Sequence, residues 1–370
     1  KQIVKAVFTQ AIFSKLDLSD KDLEGADLDE LDLGGVDLSG ANLSMSSLHG
    51  SDLREANLVG TNFEHASLME CDLSGVDLRE TRFDQCTLMG AKLVGANLAG
   101  QKLKMLILTD ADLSGADLSG VQLDMSVLQN ANLTGASLER ATLDRPIMRE
   151  AILDGVNINK AVFDGADLSG ADLTKLELAG MTMTRCDFTE ADMRGMDLSQ
   201  ADFSGCNFTK AKLVEANLEG CILKRASFLE ADMRKCRLDG AHGKGAFFGE
   251  ADLKGASAVK VTMPKSTFSK ADLSLADFRK SDFHETLMVE VKADTTKFNG
   301  SNMQFCDLSN ASLAFADLSG TDLYLATLHN IRDRGAVWSG ASLKRVKRDD
   351  QDLLVSEGWT APKRPTKETE

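Results

Sequence analysis

Few side chains in this 370-residue chain could do chemistry: seven cysteines, five histidines and one glycine-rich stretch. A thiolate nucleophile, a zinc centre or a phosphate cradle would each need such residues to converge. The cysteines (Cys71, Cys86, Cys186, Cys206, Cys221, Cys236 and Cys306) contain no CxxC pair, whereas a zinc site needs its thiolates about 2.3 Å from one ion. An odd number of thiols suits a reducing compartment, where buried cysteine acts as a small hydrophobe. His49, His65, His242, His284 and His329 are widely scattered, with no evident carboxylate or thiol partner. "GAHGKGAFFGE", residues 240–250, lacks the GxxxxGK[ST] spacing of a phosphate loop. No catalytic residue, metal or cofactor is expected.

The elements that would have to position any site follow a five-residue beat. Stepping by five from Phe8 to Leu343 gives 68 centres without insertion or deletion, and only Gly243, Ala258, Ala293 and Asp333 are not large and apolar. Every cysteine lies two residues before a centre, a place otherwise held mostly by Ala, Ser, Thr or Val. Residues flanking each centre are mainly polar and should face water. A period of five suits neither a helix nor a plain strand, so each unit must contain its own turn. Of the 30 glycines, 26 fall two after a centre, the second central position of a type II turn, which needs positive φ. Four units then close a square coil. The unbroken beat argues for one repeat domain rather than several.

Units such as "ADLSGADLSG", residues 111–120, read A(D/N)LxG, and the chain resembles the pentapeptide-repeat family over residues 6–345. That resemblance implies an all-β fold, a right-handed quadrilateral β-helix. At a strand spacing of about 4.8 Å, about 17 coils make a rod of about 80 Å. The expected layout is a β-helix over 1–345, a short helical cap over 346–360 and a disordered tail over 361–370. Asp349 or Asp350 would start the cap, Leu353, Leu354 and Trp359 would fold over the last coil, and Phe305, Phe315 and Leu325 would receive them. The start at Lys1, with Ile3, Val4 and Val7 already strand-like, suggests that an N-terminal part has been cut away. No apolar run approaches the ~18 residues of a membrane span. A monomer in the bacterial cytoplasm is expected.

With a rigid convex rod, function should lie in the surface rows that recur every 20 residues. One corner carries Met45, His65, Met105 and Met125, then Arg145, Arg185, Arg225 and Lys265. The face beside it has unusually apolar outward positions: Met69, Met89, Ile107, Val127 and Ile147, with Leu229, Phe247, Leu287 and Val289 further along. A contiguous apolar strip on a soluble surface marks an interaction site. The face's other border is acidic. Its corner carries Glu30, Glu70, Asp110, Glu150, Glu190, Glu230, Glu250 and Glu290, and the next row carries Asp32, Asp52, Asp72, Asp112, Asp172, Asp192, Asp232, Asp252 and Asp272. Only Lys92, Lys210, Lys212, Lys270 and Lys292 interrupt them, so these rows hold most of the formal charge of −15.

Two functions are consistent with this surface. The first is a non-enzymatic scaffold or adaptor that binds another protein through the apolar face. The stretch "LHNIRDRGAVWSGASLKRVKRDDQDLLVSEGW" also resembles the end of bacterial type VI secretion accessory proteins in which a pentapeptide-repeat segment follows another domain, which implies an effector or spike component as partner. The second is a DNA mimic: some members of the resembled family present a duplex-like acidic rod to a topoisomerase such as gyrase. This chain is longer than those mimics and lacks their loop insertions. Direct nucleic-acid binding is not expected, because the net charge repels phosphate.

Overall fold

A computed structural model describes residues 17–349. In each unit three extended residues alternate in, out, in, and two more turn the corner. The centre's N–H donates to a carbonyl one coil on (Leu33 to Asp52, 2.8 Å), and the residue before a centre donates one coil back (Asp52 to Leu31, 2.9 Å). Residues 20 apart therefore pair in parallel, from Asp17 with Asp37 to Thr327 with Lys347. Parallel strands joined in this sense give a right-handed quadrilateral β-helix. The described residues contain no helix. The repeat runs to Lys347, two residues into the expected cap, and the Asp349 carboxylate then accepts the Asn330 N–H at 2.9 Å where a coil carbonyl would otherwise stand. The remaining cap, with Leu353, Leu354 and Trp359, and the tail lie outside the described residues.

The centres fill the interior. Behind the face that bears the apolar strip, Phe188, Phe208, Phe228, Phe248 and Phe268 stack ring on ring, with centroids 4.9, 4.8, 4.8 and 4.5 Å apart. Small inward residues seal the coil junctions, and their polar members satisfy backbone oxygens: Thr61 donates to Leu38 at 2.8 Å and Thr296 to Leu273 at 2.7 Å. Gly243 leaves a gap in the ladder of centres. Neither Phe247 nor Phe248 fills it; the Met263 thioether lies over Gly243 instead, and Phe248 occupies its own centre.

Corner residues from Asp20 to Arg345 adopt positive φ except Glu80 and Lys175, and 38 of them are not glycine. The turn therefore dictates the conformation, and glycine is one solution among several. Five consecutive corners on one edge depart from the type II turn. Leu106, Ser126, Ala166 and Cys186 donate no N–H to the centre three residues back, and Pro146 has none to donate. Leu106 and Pro146 are bulky for the small inward position, so the chain runs extended past them. The result is a parallel sheet of β1 (Lys102–Lys104), β2 (Gln122–Asp124), β3 (Thr142–Asp144), β4 (Val162–Asp164) and β5 (Met183–Thr184), in register Leu103, Leu123, Leu143, Phe163, Met183.

On the two adjoining faces away from that edge the same stretch of rod opens. Leu153, Gly155, Ile158 and Lys160 make none of the N–H bonds that their counterparts elsewhere make to the following coil, and Asp172 and Glu177 make none to the preceding one. Val156, Leu176 and Met196 occupy three successive places in one small-residue row, and Met181 stands in the next. Leu176 and Met181 are only half-buried. Overfilling the junction holds the coils apart. A shorter interruption separates Leu58 and Gly60 from the coil that follows them.

Candidate functional site

The widened corner carries the apolar strip on its flank. Ile107 pairs with Val127 and Val127 with Ile147, so their side chains stand one above another. Ile107 is 41% and Ile147 37% exposed, Val127 is half-buried, and Met105 (46%), Met125 (38%) and Met89 (37%) extend the patch. Met69 is half-buried two coils before Ile107. Beyond Ile147 the row turns polar, with Asp167, Asp187, Asn207 and Ser227. Leu229 and Phe247 are thus not joined to the strip. Five coils, about 24 Å at strand spacing, separate Phe247 from Ile147. Phe247 rests its exposed ring against Gly249.

The arginine corner divides by local pairing. Arg145 reaches Asp144 at 3.2 Å and Asp124 at 3.8 Å, and Arg185 pairs with Asp164. Asp124, Asp144 and Asp164 are stacked in register along β2, β3 and β4, so the arginines relieve repulsion between them. Arg225 has no carboxylate within 4.0 Å among the described residues and keeps its charge toward solvent.

The acidic edge is less negative than its two rows suggest. Arginines two residues after an aspartate fold back on it: Arg54 lies 2.5 Å from Asp52 and 3.9 Å from Asp72, Arg194 2.6 Å from Asp192, and Arg234 2.6 Å from Asp232 and 3.8 Å from Asp252. Lys92 approaches Asp72 at 4.0 Å, Lys292 binds Asp272 at 3.0 Å and Lys210 faces Glu230 at 3.8 Å. Hydrogen bonds from Arg54, Arg194 and Arg234 hold Asp52, Asp192 and Asp232 below the usual carboxylate range. Asp32 binds the Gly34 N–H at 3.0 Å. Among the described residues Glu30, Glu70, Asp110, Asp112, Glu150, Asp172, Glu190, Glu250 and Glu290 have no cation within 4.0 Å. Of these, Asp110 accepts from Asn130 at 2.9 Å and Asp112 from Asn132 at 3.1 Å. The missed signal was the D-x-R spacing, which puts both side chains on one face.

All seven thiols are buried and unpaired. They replace serine and threonine as donors: Cys71 to the Leu48 carbonyl at 2.8 Å, Cys206 to Met183 at 2.8 Å, Cys221 to Leu198 at 2.9 Å and Cys306 to Phe283 at 2.9 Å. Burial pushes Cys71, Cys221 and Cys306 up to about 12. The histidines stay apart, His284 reaching Glu285 at 3.0 Å and standing edge-on to Phe305. Among the described residues no group of His, Cys, Asp and Glu could hold a metal ion. No helix there is long and apolar enough to cross a membrane.

The family description "Pentapeptide repeats (8 copies)" matches in twelve segments from 6–44 to 296–330, most of them overlapping, so the chain belongs to the pentapeptide-repeat family. Among solved structures it is similar to HetL, a pentapeptide repeat protein involved in heterocyst differentiation regulation from the cyanobacterium Nostoc sp. Strain PCC 7120, with 24% identity over 71% of this chain and 90% of that one and a TM-score of 0.23. QnrB1, a plasmid-mediated fluoroquinolone resistance protein, is 20% identical over 54% of this chain and 97% of that one, with a TM-score of 0.28. Rfr23 from the cyanobacterium Cyanothece 51142 is 28% identical over 38% and 83% respectively, with a TM-score of 0.13. No curated protein matches.

Proposed function

We propose that this protein is a non-enzymatic interaction scaffold whose partner protein docks on the strip Ile107–Val127–Ile147 and its methionine border. The observation that carries this reading is the coil-by-coil stacking of exposed apolar side chains beside a widened corner, on a rod whose other rows are mostly polar. Such a strip gains from burial without any rearrangement of the rigid backbone. Methionines at Met89, Met105 and Met125 adapt to an irregular partner surface. Nothing in this arrangement gathers an acid, a base and a substrate pocket, which supports a binding role over catalysis.

An adaptor role in type VI secretion would make the partner an effector or spike component, and rests on the resemblance of the C-terminal stretch. Mimicry of DNA toward a topoisomerase such as gyrase is the second reading, favoured by the nine carboxylates of the acidic rows that have no cation within 4.0 Å among the described residues. Affinity capture from bacterial cytoplasm with the wild-type protein, an Ile107→Asp/Val127→Asp variant and an Asp112→Asn/Asp172→Asn/Glu190→Gln variant separates them. Loss of the partner in the first variant alone supports the strip. Loss in the second alone, with binding that weakens steeply with salt, overturns it in favour of the acidic edge.

A further inference from the structure

We infer that the opening between residues 150–162 and 170–182 is a second binding site, which takes an extended polypeptide segment as an added β-strand. The inference does not rest on the apolar strip, which lies on another face. Two clefts of about 460 Å3 each mark the opening on adjacent faces. One is lined by Asn157, Asn159, Lys175 and Glu177, the other by Glu150, Asp154 and Asp172, each with adjoining backbone.

The chemistry of the lips selects the occupant. The N–H groups of Leu153, Gly155, Ile158 and Lys160 face toward the carbonyls of Asp172, Thr174, Glu177 and Ala179, and none of these pairs is bonded. Elsewhere along the rod nearly every equivalent pair is closed. The Asp172 and Glu177 N–H groups are likewise unbonded to the Ala151 and Val156 carbonyls below them, so each lip presents donors and acceptors together, which the two edges of one strand can satisfy. Side-chain preferences follow from the walls. Leu153 and Ile158 are 5% exposed, where centres along most of the rod are sealed to 0 or 1%, so inward residues of the guest should be apolar. Glu150, Asp154 and Asp172 have no cationic partner among the described residues, so an outward residue over that mouth should be Lys or Arg. The guest is therefore an extended segment of alternating apolar and polar residues with a basic side chain.

A fluorescein-labelled ten-residue peptide made of two Ala-Lys-Leu-Ser-Gly units is a suitable probe, followed by anisotropy against the intact chain. Saturable binding is expected, together with slowed amide exchange at Gly155, Ile158 and Lys160. Leu176→Ala/Met181→Ala restores small residues and should let the coils close. Affinity should then fall at least about tenfold and the same amides should become protected without peptide. Asp154→Asn/Asp172→Asn leaves the fold untouched and should weaken the lysine peptide, whereas Ile107→Asp/Val127→Asp should not. Slow exchange of Gly155, Ile158 and Lys160 in the free wild type, no saturable binding, or equal affinity in the Leu176→Ala/Met181→Ala variant would overturn the inference and leave the strip hypothesis standing.

Discussion

Phe228→Ala tests the interior where it is densest. The ring is fully buried, with centroids 4.8 Å from Phe208 and 4.8 Å from Phe248 and planes within 3° of parallel. Truncating a buried phenylalanine to alanine destabilises by about 3–5 kcal/mol, depending on how far the site can collapse. Collapse is limited here, because the Phe228 N–H donates to Phe247 and the Phe247 N–H to Ala226 on one side, while the Phe208 N–H donates to Ser227 and the Ser227 N–H to Cys206 on the other, so both neighbouring coils are fixed by backbone bonds. The two lost ring contacts add about 0.5–1.5 kcal/mol each, which places the variant at about 5 kcal/mol or more. Phe247→Ala is the matched control. That ring is 40% exposed, and its loss should stay below about 1 kcal/mol. Urea unfolding followed by circular dichroism gives the difference, and hydrogen exchange at Ser227 and Phe247 locates it, since coils stabilise only their neighbours. Equal midpoints for the two variants, or less than about 1 kcal/mol for Phe228→Ala, would refute the stacked interior.

Leu113→Asp buries a carboxylate among apolar centres and should abolish cooperative unfolding at its coil, while Asp112→Ser should be near silent; similar thermal curves would reverse the inward and outward assignment. The thiols should react slowly with a thiol reagent in the folded protein and rapidly in denaturant. For Cys71, Cys221 and Cys306 the native pKa is raised from 9.0 to about 12, so the stability they contribute is complete below pH 9.0 and drains away between there and about pH 12. Replacing these three with serine should therefore flatten the alkaline limb of a stability profile, and an unchanged limb would count against burial as its source.

The period of five, the inward centres and the place of every cysteine were legible in the sequence because each is a matter of counting. The strip was legible at Ile107, Val127 and Ile147 for the same reason, yet its extent was not: rows align Phe247 with them but cannot show that four polar coils intervene. The acidic edge was misjudged because charge was summed along two rows, while Arg54, Arg194 and Arg234 reach it from a third. The open corners and the opened junction had signals too, in Leu106, Pro146, Leu176 and Met181. Reading them required knowing that a residue of ordinary hydrophobicity can be the wrong size. Apolarity sets which way a side chain points, and volume sets whether neighbouring coils can still meet.

Pairing at a constant interval of 20 residues, without a single inserted loop across the described stretch, makes chain length equivalent to rotational phase. Removing a multiple of that interval shortens the rod and leaves every downstream row on its own side. Removing a single unit of five turns everything that follows by a quarter revolution, so a surface built from residues on both sides of the cut is dismantled although each coil still folds. The strip from Met69 to Ile147 would survive any such change placed after it. A partner that reads it together with a more distant row would not tolerate the change, and is in effect measuring the chain modulo one coil. Length variation in this architecture is thus quantised by function rather than by stability.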